Sequence, residues 1–149
     1  MSATAPAYRR ILLCYDGRRE SRDALRQGGE LAAALGAETH VLLVSSVIHN
    51  ASAYAAVTEL QVDVENSACK RILQEGLEWL RARGVEATPH VVLGTPIDVI
   101  PRIARELNVD LIVVGHVARS ALGRWWAGPE NASLLDRVRC CVLVTVVVA

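Results

Sequence analysis

Apolar residues in this chain fall into two alternating patterns, short continuous runs and stretches with helical spacing. The runs suit strands covered on both faces, since such strands need no polar alternation. They cover residues 11–15, 41–44, 111–115 and, with Thr145 as an interruption, 141–148; a further strand is predicted within residues 86–93. Between the runs, apolar side chains recur every three or four residues, as on one face of a helix. The alternation predicts one domain over residues 1–149, a doubly wound parallel α/β sheet with helical crossovers.

Four helices are predicted between the strands. The first has Ala24, Gly28, Leu31 and Leu35 at helical spacing and stops at Gly36. The second is long and amphipathic, runs from near residue 57 to residue 82 and is ended by Gly84, and the fourth covers roughly residues 131–137.

The third helix opens at Gly94-Thr95-Pro96, where Thr95 can act as the cap and Pro96 suits the first turn. Further along this helix, Pro101 lacks the backbone N–H that other residues donate to the helical hydrogen bonds. We therefore expect either an irregular first turn or a helix that begins later than Pro96.

Composition narrows the class of protein. Hydrophobic residues make up 52% of 149 residues and Phe is absent, so a core of Val, Leu, Ile and Ala is expected. Sixteen basic and sixteen acidic residues cancel, which argues against binding nucleic acid or an anionic membrane through bulk charge. The N-terminus has no signal-peptide core, and the longest apolar run is far short of the ~20 residues that span a bilayer. Four cysteines without C-x-x-C spacing favour reduced thiols in a cytoplasmic protein.

The stretch from residue 111 to residue 135 is the main candidate for a functional site. It reads as a buried strand ending at Gly115, a long loop containing glycines, and the start of a short helix. Where such a loop enters a helix N-terminus, free backbone N–H groups and the helix dipole favour an anion. We therefore expect the functional cleft at the carboxyl ends of strands one and four.

Several motifs spread along the chain resemble the universal stress protein family. These are Ile11-Leu-Leu-Cys-Tyr-Asp-Gly17, Gly94-Thr-Pro96, Asn108-Val-Asp-Leu-Ile-Val-Val-Gly-His116 with Arg119-Ser120, and Cys140-Cys-Val-Leu-Val144. The resemblance covers essentially the whole chain. It implies a Rossmann-like open sheet of five parallel strands in the order 3-2-1-4-5, with four helices.

Nucleotide-binding members of that family carry G-x-x-G, nine residues, then G-[S/T]. Gly115 and Gly128 match this pattern, whereas Ala118 replaces the middle glycine and Pro129 replaces the hydroxyl residue. Ala118 adopts positive φ only at a cost of about 1 kcal/mol. Pro129 offers neither a hydroxyl nor an N–H, although proline is also comfortable at a helix's first position. At roughly 1–3 kcal/mol per lost bond to a charged group, ATP affinity could fall by about two orders of magnitude or more.

The resemblance also implies a cofactor and its contacts. Asp16 and the backbone near Val44 would meet the adenine–ribose end of ATP or AMP, and Mg²⁺ is expected only if ATP binds. Arg119, Arg124 and Asn131 could compensate for lost phosphate donors, although loop arginines are commonly just solvated. Asp16 could equally be a turn or helix-cap residue.

Other conspicuous residues leave alternatives open. Trp125-Trp126 could stack on a ligand, fill the phosphate pocket or pack at a subunit contact. His116 is expected to be an ordinary loop histidine, and no histidine shows metal-ligand spacing. Cys140-Cys141 is expected to be structural, since redox pairs are usually spaced C-x-x-C.

The family resemblance further implies a homodimer. The last strand, Val142 to Val148, would be an exposed edge that needs cover, and members commonly pair it with its symmetry mate.

Three functions compete. The favoured one is a non-enzymatic stress-response or signalling module in which ATP binding is weak or lost. The others are an ATP-dependent switch, with slow hydrolysis open, and an enzyme on the same kind of sheet. The absence of S-G-G-x-D-S, H-x-G-H and G-x-G-x-x-G motifs argues against the enzyme.

Overall fold

The computed structural model describes residues 7–45, 59–117 and 134–147 of the chain. Within them lies one five-stranded sheet in the order β3-β2-β1-β4-β5, and every strand pairs parallel to its neighbours. The predicted fold class and strand order are therefore confirmed. The strands are β1 (Arg10–Cys14), β2 (Glu38–Ser45), β3 (Ala87–Leu93), β4 (Leu111–Val117) and β5 (Cys141–Val147).

Four helices connect these strands in the described part of the chain. They are α1 (Arg19–Leu35), α2 (Glu59–Arg81), α3 (Pro96–Glu106) and α4 (Leu134–Arg137). Gly36 ends α1 in the left-handed region, with φ of 61°, and its N–H bonds the carbonyls of Ala32 and Ala33. Glycine adopts that conformation without steric cost, so the predicted stop is confirmed.

Helix α3 corrects the expectation raised by Pro101. The helix begins at Pro96, not later, and continues through Pro101. Thr95 occupies the N-cap position but makes no side-chain cap bond, because its hydroxyl donates to Asp98 Oδ2 at 2.7 Å. The backbone N–H groups of Asp98 and Val99 instead both donate to the Thr95 carbonyl, at 3.0 and 2.9 Å. The first turn therefore forms despite the proline within the helix.

The sheet is covered by two apolar layers. On one face, α1 and α2 pack on alternate strand residues such as Ile11, Leu13 and Val113. On the other face, α3 and α4 cover Leu12 and Ile112. Both layers are built almost entirely from aliphatic side chains, as the composition predicted. Burial on both faces explains why the central strands read as continuous apolar runs.

Strand ends differ from the sequence-based bounds by a few residues. β1 stops at Cys14, although the Tyr15 N–H still donates to the Leu42 carbonyl at 2.9 Å. β4 continues two residues past Gly115, because the ladder to β5 extends to Val117. No helix in the described ranges is long and apolar enough to cross a membrane.

Candidate functional site

A cleft opens at the carboxyl ends of the central strands, between the first turns of α1 and α3. In a doubly wound sheet this is the switch point, where the chain leaves neighbouring strands in opposite directions. The described walls enclose about 50 Å³, below the ~300–1,000 Å³ of most small-molecule pockets. The walls are formed by Cys14, Tyr15, Asp16, Glu20, Ser21, Leu42, Val44, Pro96, Ile100, Val114 and Gly115.

Asp16 anchors the turn that leads from β1 into α1. Its Oδ1 accepts a hydrogen bond from the Arg18 N–H at 2.9 Å and another from the Ser21 hydroxyl at 2.7 Å. The Asp16 N–H in turn donates to Ser21 Oγ at 3.2 Å. The turn-and-cap role considered for Asp16 is thus present in the structure. The second oxygen, Oδ2, lies 3.6 Å from Arg18 Nε, and the carboxylate remains at the cleft wall.

Gly115 lets the first turn of α1 approach β4 closely. A Cβ placed on Gly115 would lie 2.0 Å from the Glu20 carbonyl oxygen and 3.0 Å from the Ser21 backbone nitrogen. Neither group can rotate away as a side chain could. The glycine is therefore required for packing, whether or not a ligand is present.

The floor of the cleft is apolar. Leu42 and Val44 contribute from β2, Val114 from β4, and Pro96 and Ile100 from α3. The Cys14 thiol also lies here, and burial, aided by the nearby Asp16 charge, raises its pKa to about 12. Cys14 therefore stays a neutral thiol and cannot serve as a nucleophile near neutral pH.

The structure brings together three of the residues predicted for the site. Asp16 follows β1, Val44 lies near the end of β2 and Gly115 lies within β4, and all three line one cleft. The other five predicted site residues lie outside the described residues; they are Ala118, Arg119, Gly128, Pro129 and Asn131. Trp125 and Trp126 also lie outside the described residues.

Sequence reasoning missed several residues of the cleft. Ser21 follows Asp16 by five positions and precedes the helical spacing that begins at Ala24, and that position was the available signal for its bond to the carboxylate. Cys14 and Ile100 gave no signal, because each belongs to an ordinary apolar pattern.

His116 was predicted to lie in a loop, and this prediction is wrong, because His116 lies within β4. The β4–β5 ladder continues past Gly115, which places His116 opposite Val146. Its Nδ1 is buried and has no hydrogen-bond partner among the described residues. Nothing in the described structure assigns this imidazole a ligand.

His40 lies in β2 and His90 in β3, and the two imidazoles contact each other. His40 Nδ1 is 2.9 Å from His90 Nε2, and His40 Nε2 is 2.8 Å from Glu38 Oε1. Residues of different strands meet here through the β2–β3 pairing, which the spacing within one strand does not reveal. In the described ranges, no group of three or more His, Cys, Asp or Glu residues is placed to hold a metal ion.

An open parallel sheet with a cleft at its switch point defines the class of nucleotide-site α/β proteins. The family model "Universal stress protein family" matches residues 7–146. The chain therefore belongs to the universal stress protein family.

Individual relatives agree with this assignment. The chain is 32% identical over 99 residues to universal stress protein Slr1101 of Synechocystis sp., covering 61% of this chain and 92% of that protein. It is similar to a crystal structure from the same family from Burkholderia pseudomallei, with 27% identity, a TM-score of 0.73, and coverage of 93% and 96%. A universal stress protein in complex with cAMP shares the fold at 23% identity, with a TM-score of 0.69 and coverage of 93% and 97%.

Proposed function

We propose that this chain is a non-enzymatic stress-response or signalling module of the cytoplasm that binds an adenine nucleotide, with ATP binding weak or lost. The observation that carries the proposal is the convergence of Asp16, Val44 and Gly115 at one cleft. Open α/β sheets bind their ligands at this point of the fold.

The described walls suit the adenine–ribose end of a nucleotide. The apolar surface of Leu42, Val44 and Ile100 can cover a base, and the Asp16 carboxylate beside it can accept bonds from ribose hydroxyls. Asp16 Oδ1 already serves the turn, so Oδ2 is the oxygen we assign to the ribose. Because these walls enclose little volume, binding must widen the cleft or extend beyond it.

The phosphate end is where the sequence departs from the family pattern. Ala118 and Pro129 stand where binding members have a glycine and a hydroxyl residue, so fewer donors face a triphosphate. A monophosphate such as AMP, or the cyclic monophosphate seen with the cAMP-bound relative, needs fewer of these donors. We therefore expect the mononucleotides to bind at least as tightly as ATP, and Mg²⁺ to matter only when ATP is the ligand.

Calorimetric titration of the purified protein with adenosine, AMP, cAMP and ATP plus Mg²⁺ tests this order. ATP should bind with a dissociation constant above about 100 μM, which corresponds to less than ~5.5 kcal/mol. A value at or below about 10 μM for ATP would favour the ATP-dependent switch instead. Absence of binding by every adenine compound at millimolar concentration would reject the nucleotide part of the proposal. Release of ADP during the ATP titration would contradict the non-enzymatic part.

The double variant Ala118→Gly/Pro129→Ser provides a positive test of the phosphate argument. Restoring two donors should tighten ATP binding by about tenfold or more, while adenosine binding stays unchanged. Ala118→Gly alone is the matched control, because it restores the G-x-x-G while Pro129 still supplies neither a hydroxyl nor an N–H. If the double variant does not strengthen ATP binding, Trp125 and Trp126 become the better explanation for a weak site.

The assembly we propose is a homodimer paired through the last strand, β5, to which most of the predicted segment Val142 to Val148 belongs. Two large apolar side chains of this strand, Leu143 and Val146, are 38% and 62% exposed. An edge strand with exposed apolar side chains needs cover to avoid aggregation. Sedimentation equilibrium should give a dimer, and Val146→Lys should shift it toward the monomer. A monomeric wild-type protein would reject this assembly.

A further inference from the structure

Three titratable side chains form a continuous chain of contacts at the edge of the sheet, away from the nucleotide cleft. Glu38 and His40 lie on β2, and His90 lies on β3, the edge strand. His40 bridges the other two, with Nε2 at 2.8 Å from Glu38 Oε1 and Nδ1 at 2.9 Å from His90 Nε2. Arg10 on β1 approaches the second carboxylate oxygen of Glu38 at 3.4 Å.

The contacts fix which ring nitrogens carry protons. The hydrogen bond from His40 and the charge of Arg10 lower the pKa of Glu38, so this residue is an ionised acceptor near neutral pH. His40 Nε2–H must therefore donate to Glu38, which leaves Nδ1 of a neutral His40 as an acceptor. His90 Nε2–H then donates to His40 Nδ1. Each of the two contacts then joins one donor to one acceptor, so both hydrogen bonds of the Glu38–His40–His90 chain can form.

Strand β3 is held mainly by its partner β2. None of its seven residues is buried, and Val91 and Leu93 are among the exposed large apolar residues. Besides the packing of Ala87 and Val92 against the two apolar layers, β3 is attached by the backbone ladder to β2 and by the His90–His40 hydrogen bond, which ties it to an almost fully buried imidazole. The local stability of an edge strand with so little burial is expected to be low.

We propose that the Glu38–His40–His90 chain makes the attachment of β3 to β2 depend on pH. One added proton is accommodated, because either imidazole can then donate to the other. When both rings are charged, two N–H groups face each other across 2.9 Å and the contact becomes repulsive. The Glu38–His40–His90 chain therefore holds β3 more firmly at neutral pH than in mild acid.

The direction of the pKa shift agrees with this geometry. Partial burial, followed by the charge of His40, lowers the pKa of His90 below its ordinary value of 6.5. A released β3 binds the proton more readily than an attached one, so acidification below about 6.5 favours release, and no effect is expected above it. Two charged groups lie beside the imidazoles, namely Glu38 from β2, which His40 contacts directly, and Arg10 from β1, which contacts Glu38. From α3, which packs on the same face, Asp98 is directed to Thr95 and Arg137.

Amide hydrogen exchange of the intact protein at pH ~7 and pH ~5, corrected for intrinsic exchange rates, tests the proposal. Because the first added proton is accommodated, only the second is linked to opening, so the opening constant of β3 can rise by at most about tenfold per pH unit, and a several-fold rise is expected. Central strands β1 and β4 are the internal reference. Histidine ring NMR should show His90 taking up its proton over the same pH range.

His90→Gln keeps a side-chain N–H donor for His40 but removes the titrating group, so its β3 exchange should be independent of pH. His116→Gln is the matched control, because this imidazole lies on β4 outside the chain, and it should retain the wild-type response. The proposal is overturned if His90→Gln responds to pH like the wild type, or if β1, β3 and β4 all open together. No nucleotide is needed for any of these measurements.

Discussion

Replacing Gly115 by alanine separates a packing role from a ligand role for the first glycine of the nucleotide motif. The added Cβ would lie 2.0 Å from the Glu20 carbonyl oxygen and 2.4 Å from its carbon, whereas real Cβ contacts do not fall below 3.0 Å. The first turn of α1 must therefore move away from β4 by about 1 Å. That turn also carries Ser21, whose hydroxyl bonds Asp16.

The magnitude follows from two opposing effects. Overpacking a closely packed site costs typically ~1–3 kcal/mol, and a backbone obstacle places Gly115→Ala at the upper end. Reduced entropy of the unfolded chain returns about 0.4–1 kcal/mol, since φ at Gly115 is not in the left-handed region. The net loss in unfolding free energy should be about 2 kcal/mol, which lowers Tm by roughly 4–8 °C in a chain of this length.

Urea unfolding without nucleotide measures this loss, and an unchanged m-value shows that the two-state comparison is valid. Gly36→Ala is the control. It has φ of 61° and no atom within 4 Å of the added Cβ, so only the conformational cost of about 1 kcal/mol is expected. If Gly115→Ala is neutral without ligand and affects the protein only when a nucleotide is present, the packing argument is wrong.

Three further predictions concern single side chains. Asp16→Ala should lower the free energy of unfolding by about 1–2 kcal/mol, and Asp16→Asn by less than about 0.5 kcal/mol, because asparagine keeps an oxygen for the Arg18 N–H and the Ser21 hydroxyl. Equal losses for the two variants in denaturant melts would refute this reasoning. The Asp110 carboxylate accepts hydrogen bonds from the backbone N–H groups of Arg9 and Arg10 at 2.9 and 3.1 Å, so Asp110→Ala should lower the free energy of unfolding by about 1 kcal/mol in the same assay. No loss of stability would show that water replaces the carboxylate. Iodoacetamide at pH ~8 should label the exposed Cys141 before the half-buried Cys14, whose pKa of about 12 keeps it protonated. Mass spectrometry that finds Cys14 labelled first would contradict this raised pKa.

The sheet could be predicted because its signals are local and repeated. Aliphatic runs such as residues 11–15 need cover on both faces, and glycines such as Gly36 mark helix ends where left-handed backbone is required. Pro101 was harder to interpret. One missing backbone donor costs α3 less free energy than the packing of Ile100 and Ile103 on its strongly apolar face contributes. The helix therefore continues through Pro101.

The features that sequence reasoning missed depend on pairing between distant segments. His40 and His90 are fifty residues apart, and only the register of β2 against β3 brings their rings together. The reason for Gly115 was likewise hidden, because it depends on how closely the backbone of α1 approaches β4. His116 was misplaced because its position in β4 is set by the ladder to β5 and not by an apolar run.

Asp16 and Gly115 both have structural tasks that exist without any ligand, one in the turn before α1 and one beneath its first turn. Loss of nucleotide binding after replacing either residue is therefore the expected result of a disturbed α1, whether or not the residue touches the ligand. A gain in affinity has no such second explanation, because damage to the fold does not create phosphate donors. For this reason Ala118→Gly/Pro129→Ser, which should strengthen ATP binding without strengthening adenosine binding, tests the site more decisively than any loss of function at the residues that first indicated it.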